Sequence, residues 1–350
     1  MTLLYLDGTT RGNAYGEVQR SAPLPAFDGT GYFAIANPLG GNGFGGNSTS
    51  SDRNWFFPDG GSAGPFYCGF RFYFEDNILN TTAFFTIGEV KLGAVLDHLV
   101  VRIDAGGSMR LFLSNTQIDV SVTNEITTKR WHYFEMSWTI HDTTGAYDIR
   151  IDGVSIMSGT NVDTRFGGEG ISNRLSHQQT FQRDWAYSDF YLCDGNGSLN
   201  NGFLGEIHVE TLTPDADGNR NNFTPLSGLT NYEMVDDGDG IDDDTTYVSS
   251  ATAGDDELYS FTTITNTADN VYGVQVRAYA RKEDAGFREL SGLCRETGAT
   301  EANTARLLPP GDPNFYRDPS GFIFEQNPSG PANWTTTTVN SSEFGVTINA

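Results

Sequence analysis

Residues 129–153 read KRWHYFEMSWTIHDTTGAYDIRIDG, and this stretch decides the fold. From Trp131 onward the side chains alternate, with Phe134, Met136, Trp138 and Ile140 on one face of an extended chain and Tyr133, Glu135, Ser137 and Thr139 on the other. One face is built for burial. His141-Asp142-Thr143-Thr144-Gly145 supplies turn formers, after which Tyr147, Ile149 and Ile151 alternate with Asp148, Arg150 and Asp152. A period of two on either side of a polar turn predicts a β-hairpin closed by Asp152-Gly153.

The neighbouring sequence repeats the pattern. Residues 66–74 (FYCGFRFYF) form a near-continuous aromatic run, too apolar on both faces for an exposed edge, which places them at the centre of a sheet. Residues 84–88, 98–103 and 109–113 follow as short apolar strands separated by turn residues, a spacing that suits a sandwich better than a parallel α/β sheet. With 41 Gly and 13 Pro beside 24 Phe and 15 Tyr, and no long helical periodicity, the chain is predicted to be all-β. Residues 188–195 and 202–214 read as closing strands. Residues 40–64 and 159–177 read as long loops, and the turn-rich, acidic residues 231–254 as a linker. The expected division is a sandwich over 1–230, the linker over 231–254 and a smaller β domain over 255–350.

The formal charge of −24, from 21 Lys plus Arg against 45 Asp plus Glu, argues against nucleic-acid binding, which needs clustered cations. The first residues, MTLLYLDG, have no basic leader, and no segment offers the roughly 20 apolar residues of a membrane span. A protein made and folded in a cytoplasm is expected. Cys68, Cys193 and Cys294 are widely spaced and odd in number, so free thiols are expected, with a Cys68–Cys193 bridge as the alternative.

The Trp-His opening at 131–132, the apolar strand, the polar turn and the partner strand ending in Asp152-Gly153 resemble the hairpin of laminin-G and concanavalin A-like domains. Further on, the Asp-Phe-Tyr-Leu strand at 189–192, the Asp-Gly-Asn-Gly turn at 194–197 and FLGEIHVETLTP at 203–214 resemble the end of the concanavalin A-like domain in tailed-bacteriophage virion proteins. DDTTY at 243–247, ARKEDAG at 280–286, and Trp334-Thr335 with Val339-Asn340 are similar to the second β domain of those proteins. The resemblance implies a concanavalin A-like antiparallel β-sandwich (jelly roll) followed by a smaller β-sandwich. It implies a non-enzymatic structural protein of a phage head or tail, a decoration or fibre protein located in the virion. It also implies other virion proteins as partners, a homo-oligomeric assembly and contact with host surface glycans. The alternatives are a glycan-active hydrolase using Glu206 and Glu210, and a free-standing lectin.

Glu206-Ile207-His208-Val209-Glu210 carries polar residues at alternate positions, which in a strand share one face. It resembles the Glu-x-Asp-x-Glu strand of retaining glucanases, whose two carboxyls stand about 5–5.5 Å apart. Here His208 replaces the middle acid, and the solvent face of an edge strand explains the pattern without catalysis. Asp194, Asn196 and Ser198 recur at every second position of a turn, as oxygen ligands of calcium do. Leu199 and Gly205 stand where an EF-hand loop has Gly and Glu, so no cofactor is expected and calcium stays an open alternative, as it does for the acidic residues 237–244. Trp55, Phe56 and Asp59, inside the Gly-rich 40–64 stretch, are candidates for stacking on sugar faces and hydrogen-bonding their hydroxyls.

Overall fold

The computed structural model describes residues 3–7, 32–36, 42–46, 51–56, 61–74, 84–91, 94–122, 125–179, 185–237, 242, 244–264, 270–283, 286–303, 306–307, 316–317, 321–330 and 332–349. They form two compact units, Met1–Val209 and Glu210–Ala350.

The first unit is built from β1 (Leu3–Asp7), β2 (Tyr32–Ala36), β3 (Asn42–Gly46), β4 (Ser51–Phe56), β5 (Phe66–Phe74), β6 (Phe85–Lys91) and β7 (Ala94–Ile103). It continues with β8 (Met109–Leu113), β9 (Thr116–Val120), β10 (Trp131–Thr139), β11 (Gly145–Ile151), β12 (Val154–Val162), β13 (Arg174–Gln179) and β14 (Trp185–Asp194). The larger sheet runs β12-β11-β10-β5-β14-β3-β2, with β1 also paired to β14, and the smaller runs β4-β13-β6-β7-β8-β9. Every pairing is antiparallel. The first unit is therefore the all-β sandwich that its alternation predicts.

The opening hairpin lies at the heart of the larger sheet. Phe134 pairs with Ile151, Met136 with Ile149 and Trp138 with Tyr147, all six buried. Asp152-Gly153, both at positive φ, makes the two-residue turn into β12, a conformation glycine and aspartate tolerate better than most residues. β5 lies between β10 and β14, which accounts for its aromatic content on both faces. Its Phe70 packs 4.9 Å from Phe134 of the same sheet and 5.6 Å from Phe85 of the smaller one, so phenylalanine rings join the two layers.

Residues 40–64 are not one long loop, because β3 and β4 lie within them. Cys68 and Cys193 are not joined by a disulfide, and sheet register explains why they do not bridge. Cys68 pairs with Leu192 and Cys193 with Tyr67, so the two thiols sit one residue out of step and point to opposite faces.

In the second unit Pro214–Asn221, Asp256–Phe261, Glu343–Ile348, Glu289–Glu296 and Ala299–Ala302 form an antiparallel sheet in that order. Its core gathers Cys294, Phe322, Phe324, Trp334, Val339 and Phe344. The parting of the chain at residue 209 differs from the expected 231–254 linker. Pro214–Asn221 pairs with Asp256–Phe261, and the buried Asn231 amide donates to Glu257 at 2.9 Å, so residues expected in the linker and before it are built into this sheet. Among the described residues no helix is long and apolar enough to cross a membrane.

Candidate functional site

The acidic motif at 206–210 takes a form different from the expected strand. Residues 202–213 lie outside any strand or helix, with bends at Gly202 and Glu206 and Gly205 at φ +76°. Three of their backbone donors go to side chains on the outer face of the larger sheet. Leu204 N–H donates to the Tyr191 hydroxyl at 3.2 Å, Gly205 N–H to Glu135 Oε1 at 2.9 Å and Val209 N–H to Asp189 Oδ1 at 3.0 Å. Tyr191 also donates to Glu135 at 2.6 Å. Glu206 meets Arg71 Nη1 at 2.7 Å, and His208 Nδ1 lies 3.1 Å from Asp189. Glu206 is thus an ion-pair partner of a buried guanidinium, while Glu210 begins the second unit, so neither unit by itself assembles the glucanase carboxyl pair.

Asp194 turns inward on its own loop, its Oδ1 accepting the Asn196 N–H at 2.9 Å, as in an Asx turn. No group of three His, Cys, Asp or Glu stands together as metal ligands among the described residues. Ser198 lies in the same turn. The acidic 237–244 stretch is only partly within the described residues. There Thr246 donates to Asp242 at 2.8 Å, and burial, then the neighbouring Asp242, raises the Asp237 carboxyl above its ordinary range. Trp55 and Phe56 lie on β4, with backbones paired to Leu175 and Arg174, and nothing is described of their side chains. Asp59 lies outside the described residues.

A different group of residues makes the most developed site. β12 ends on the larger sheet and β13 begins on the smaller, and residues 163–173, DTRFGGEGISN, cross between them at one end of the sandwich. Both ends of this loop are pinned. Thr164 Oγ1 donates to the Thr139 carbonyl at 2.7 Å and accepts the His141 N–H at 3.0 Å. At the other end Ser172 accepts the Trp138 indole N–H at 2.8 Å, and Asn173 exchanges two hydrogen bonds with the Val90 backbone. Ser172 N–H also donates to the Ser62 carbonyl at 2.6 Å, which brings together the ends of the two stretches that the sequence marked as long loops.

The middle of the loop is held from beneath by two ionisable side chains, Glu89 and His98, 1% and 0% exposed. Glu89 accepts the backbone N–H of Glu169 at 2.9 Å and of Gly170 at 3.2 Å. Burial alone would raise its pKa, but these donors, with that of Ile171 and the nearby His98, hold it below the usual carboxylate range. His98 accepts the Phe166 N–H on Nδ1 at 3.0 Å and donates from Nε2 to the Ile171 carbonyl at 3.1 Å, which fixes one neutral tautomer. Burial lowers its pKa, and Glu89 only partly opposes this. Gly168, at φ +62°, passes so close that a Cβ there would stand 2.4 Å from Glu89 Oε2.

What this scaffold presents is Phe166, 46% exposed. Arg165 closes the loop on itself, donating to the Gly167 and Gly168 carbonyls and pairing with Asp142 at 3.3 Å. Lys91 pairs with Glu169, and Arg174 with Asp97 at 2.8 Å. The sequence reading passed over Phe166, although a single aromatic beside a Gly-Gly-Glu-Gly run was a visible signal. Its support at His98, 68 residues away in sequence, was not.

No family model and no curated protein matches the chain. Among solved structures it is similar to a Trypanosoma rangeli sialidase in complex with sialic acid, at 13% identity and TM-score 0.34 over 46% of this chain. It spans only 26% of that sialidase. It is also similar to the endo-β-1,4-glucuronan lyase of the fungus Trichoderma reesei, at 11% identity and TM-score 0.37 over 55% of this chain and 95% of that one. The carbohydrate binding module CBM66 from Bacillus subtilis gives 13% identity and TM-score 0.30 over 46% and 94%. At these identities the likeness extends to the fold alone. The expected role as a structural phage virion part is corrected: the solved structures found similar to this chain are a sialidase, a lyase and a carbohydrate binding module.

Proposed function

We propose that the first unit binds carbohydrate without turning it over, and that residues 163–173 form its binding platform. The observation that carries this reading is the pairing of an exposed Phe166 with a loop braced by the buried Glu89 and His98. A single apolar side chain in water means little by itself. A ring held out on a backbone that two buried ionisable groups immobilise is a pre-organised flat surface, and aromatic faces of this kind stack on the C–H faces of sugar rings. Glu169 within the loop, and Asp142 brought to it by the Arg165 ion pair, supply acceptors for hydroxyls. The non-catalytic part of the reading rests on Glu206, whose carboxylate is engaged by Arg71.

Glycan-array screening followed by titration calorimetry tests it. Phe166→Ala should weaken binding by about tenfold, the scale of one aromatic stacking contact, with an unchanged melting temperature. Trp55→Ala on the adjoining β4 tests whether the platform extends to that strand. Undiminished binding by Phe166→Ala would exclude the loop, and release of reducing ends that Glu206→Gln abolishes would exclude the non-catalytic reading.

A further inference from the structure

The charges around the loop specify the ligand more narrowly, on the carbohydrate-binding reading just given. The described cations there are Lys91, Arg165 and Arg174, and each is paired with a carboxylate, that of Glu169, Asp142 and Asp97 respectively. In every pair the acid is the more exposed partner. The side chains are 56% against 51% exposed for Glu169 and Lys91, 60% against 34% for Asp142 and Arg165, and 46% against 12% for Asp97 and Arg174. A molecule arriving from solvent therefore meets an acceptor before the guanidinium at Asp142–Arg165 and at Asp97–Arg174, and both partners alike at Glu169–Lys91. Two further carboxylates, Asp163 and the ionised Glu89, add negative charge, while His98 is held neutral.

We infer that this site takes uncharged, hydroxyl-rich glycans and rejects acidic ones. Sugar hydroxyls can donate to the open carboxylate oxygens while the ring lies on an aromatic face, and neither interaction disturbs the ion pairs. A uronate, sialate or sulfate group has two routes, and both are unfavourable. It must displace Glu169, Asp142 or Asp97 from its cation, or lie against excess negative charge on a chain of net −24. Repulsion of this kind is screened by salt over roughly 8 Å at physiological ionic strength, so the discrimination should be steepest in dilute buffer.

The test uses the full chain on an array holding neutral, uronate-bearing, sialylated and sulfated glycans, followed by calorimetry with the best neutral hit and with tetragalacturonate in low salt. Binding of a neutral glycan that is lost in Phe166→Ala, with tetragalacturonate at least about tenfold weaker, is the expected result. Glu169→Gln, which releases Lys91 from its carboxylate, should narrow that gap several-fold. Phe166-dependent binding of acidic glycans as tight as neutral ones overturns this inference and leaves the carbohydrate-binding reading standing. Silence across the whole array removes both.

Discussion

His98 and Glu89 titrate in the same sense, and the sign is set by where each proton sits. The folded state lowers the His98 pKa below its ordinary 6.5 through burial, and lowers that of Glu89 below 4.5 because backbone donors outweigh its burial. Each group therefore binds fewer protons folded than unfolded, so its contribution is complete above the unfolded value and is lost as pH falls through the folded one. Loop 163–171 should hold firm at pH 7 and begin to lose the His98 contribution below about pH 6.5, where the opened loop takes up the proton. It should lose that contribution fully as pH falls through the lower folded value and His98 can no longer accept the Phe166 N–H, and loosen further as Glu89 follows the same course below about pH 4.5. Hydrogen exchange at pH 7, 5.5 and 4, corrected for intrinsic rates, checks this, and equal protection at all three would refute it. Gly168→Ala should mimic acid at neutral pH, since its Cβ would meet the Glu89 carboxylate at a backbone angle alanine disfavours. At this scale the sequence was only partly legible. The alternation around Trp138 and Phe134 shows which side chains are buried, but nothing near His98 or Glu89 in the chain reveals that each is to be satisfied by backbone some 70 to 80 residues away.

The segment laid over the larger sheet carries the clearest lesson about elements. The alternate polar residues of 206–210 carry the period of a strand, yet the hydrogen bonds of Leu204, Gly205 and Val209 run to Tyr191, Glu135 and Asp189. A period of two reports extended backbone and says nothing about whether another backbone lies alongside. Removing the segment would leave Glu135 and Asp189, 2% and 0% exposed, without those backbone donors. Each such loss typically costs about 1–3 kcal/mol. A fragment ending at residue 209 should accordingly melt in one cooperative step, and one ending at 202 should bind hydrophobic dye and lose its sharp transition. Equal melting curves for the two would mean that the segment is dispensable. The outer strands offer a second reading of element design. β9 and β12 each carry register shifts against their partners, and bulges of this kind hinder a second molecule from adding to an open edge even though Ile118, Val120 and Val154 are exposed there.

Over the whole molecule, the all-β character and the central place of residues 66–74 were legible because aromatic residues dominate that stretch and a strand apolar on both faces belongs inside a sheet. The boundary was not. Acidic, turn-rich residues 231–237 look like a tether, but Glu257 is buried among them and accepts the Asn231 amide and the Phe223 N–H, a dependence invisible without the sheet. The three cysteines lend the molecule a further property. Cys68 and Cys193 belong to the first unit and Cys294 to the second, all are 0% exposed, and burial raises the Cys68 and Cys294 thiols so that little reactive thiolate forms. Each unit thus carries its own silent chemical clock. Alkylation by a small maleimide should be negligible in the folded chain, and in rising urea the order in which peptides bearing Cys68, Cys193 and Cys294 become tagged would tell which half opens first, with no engineered cysteine.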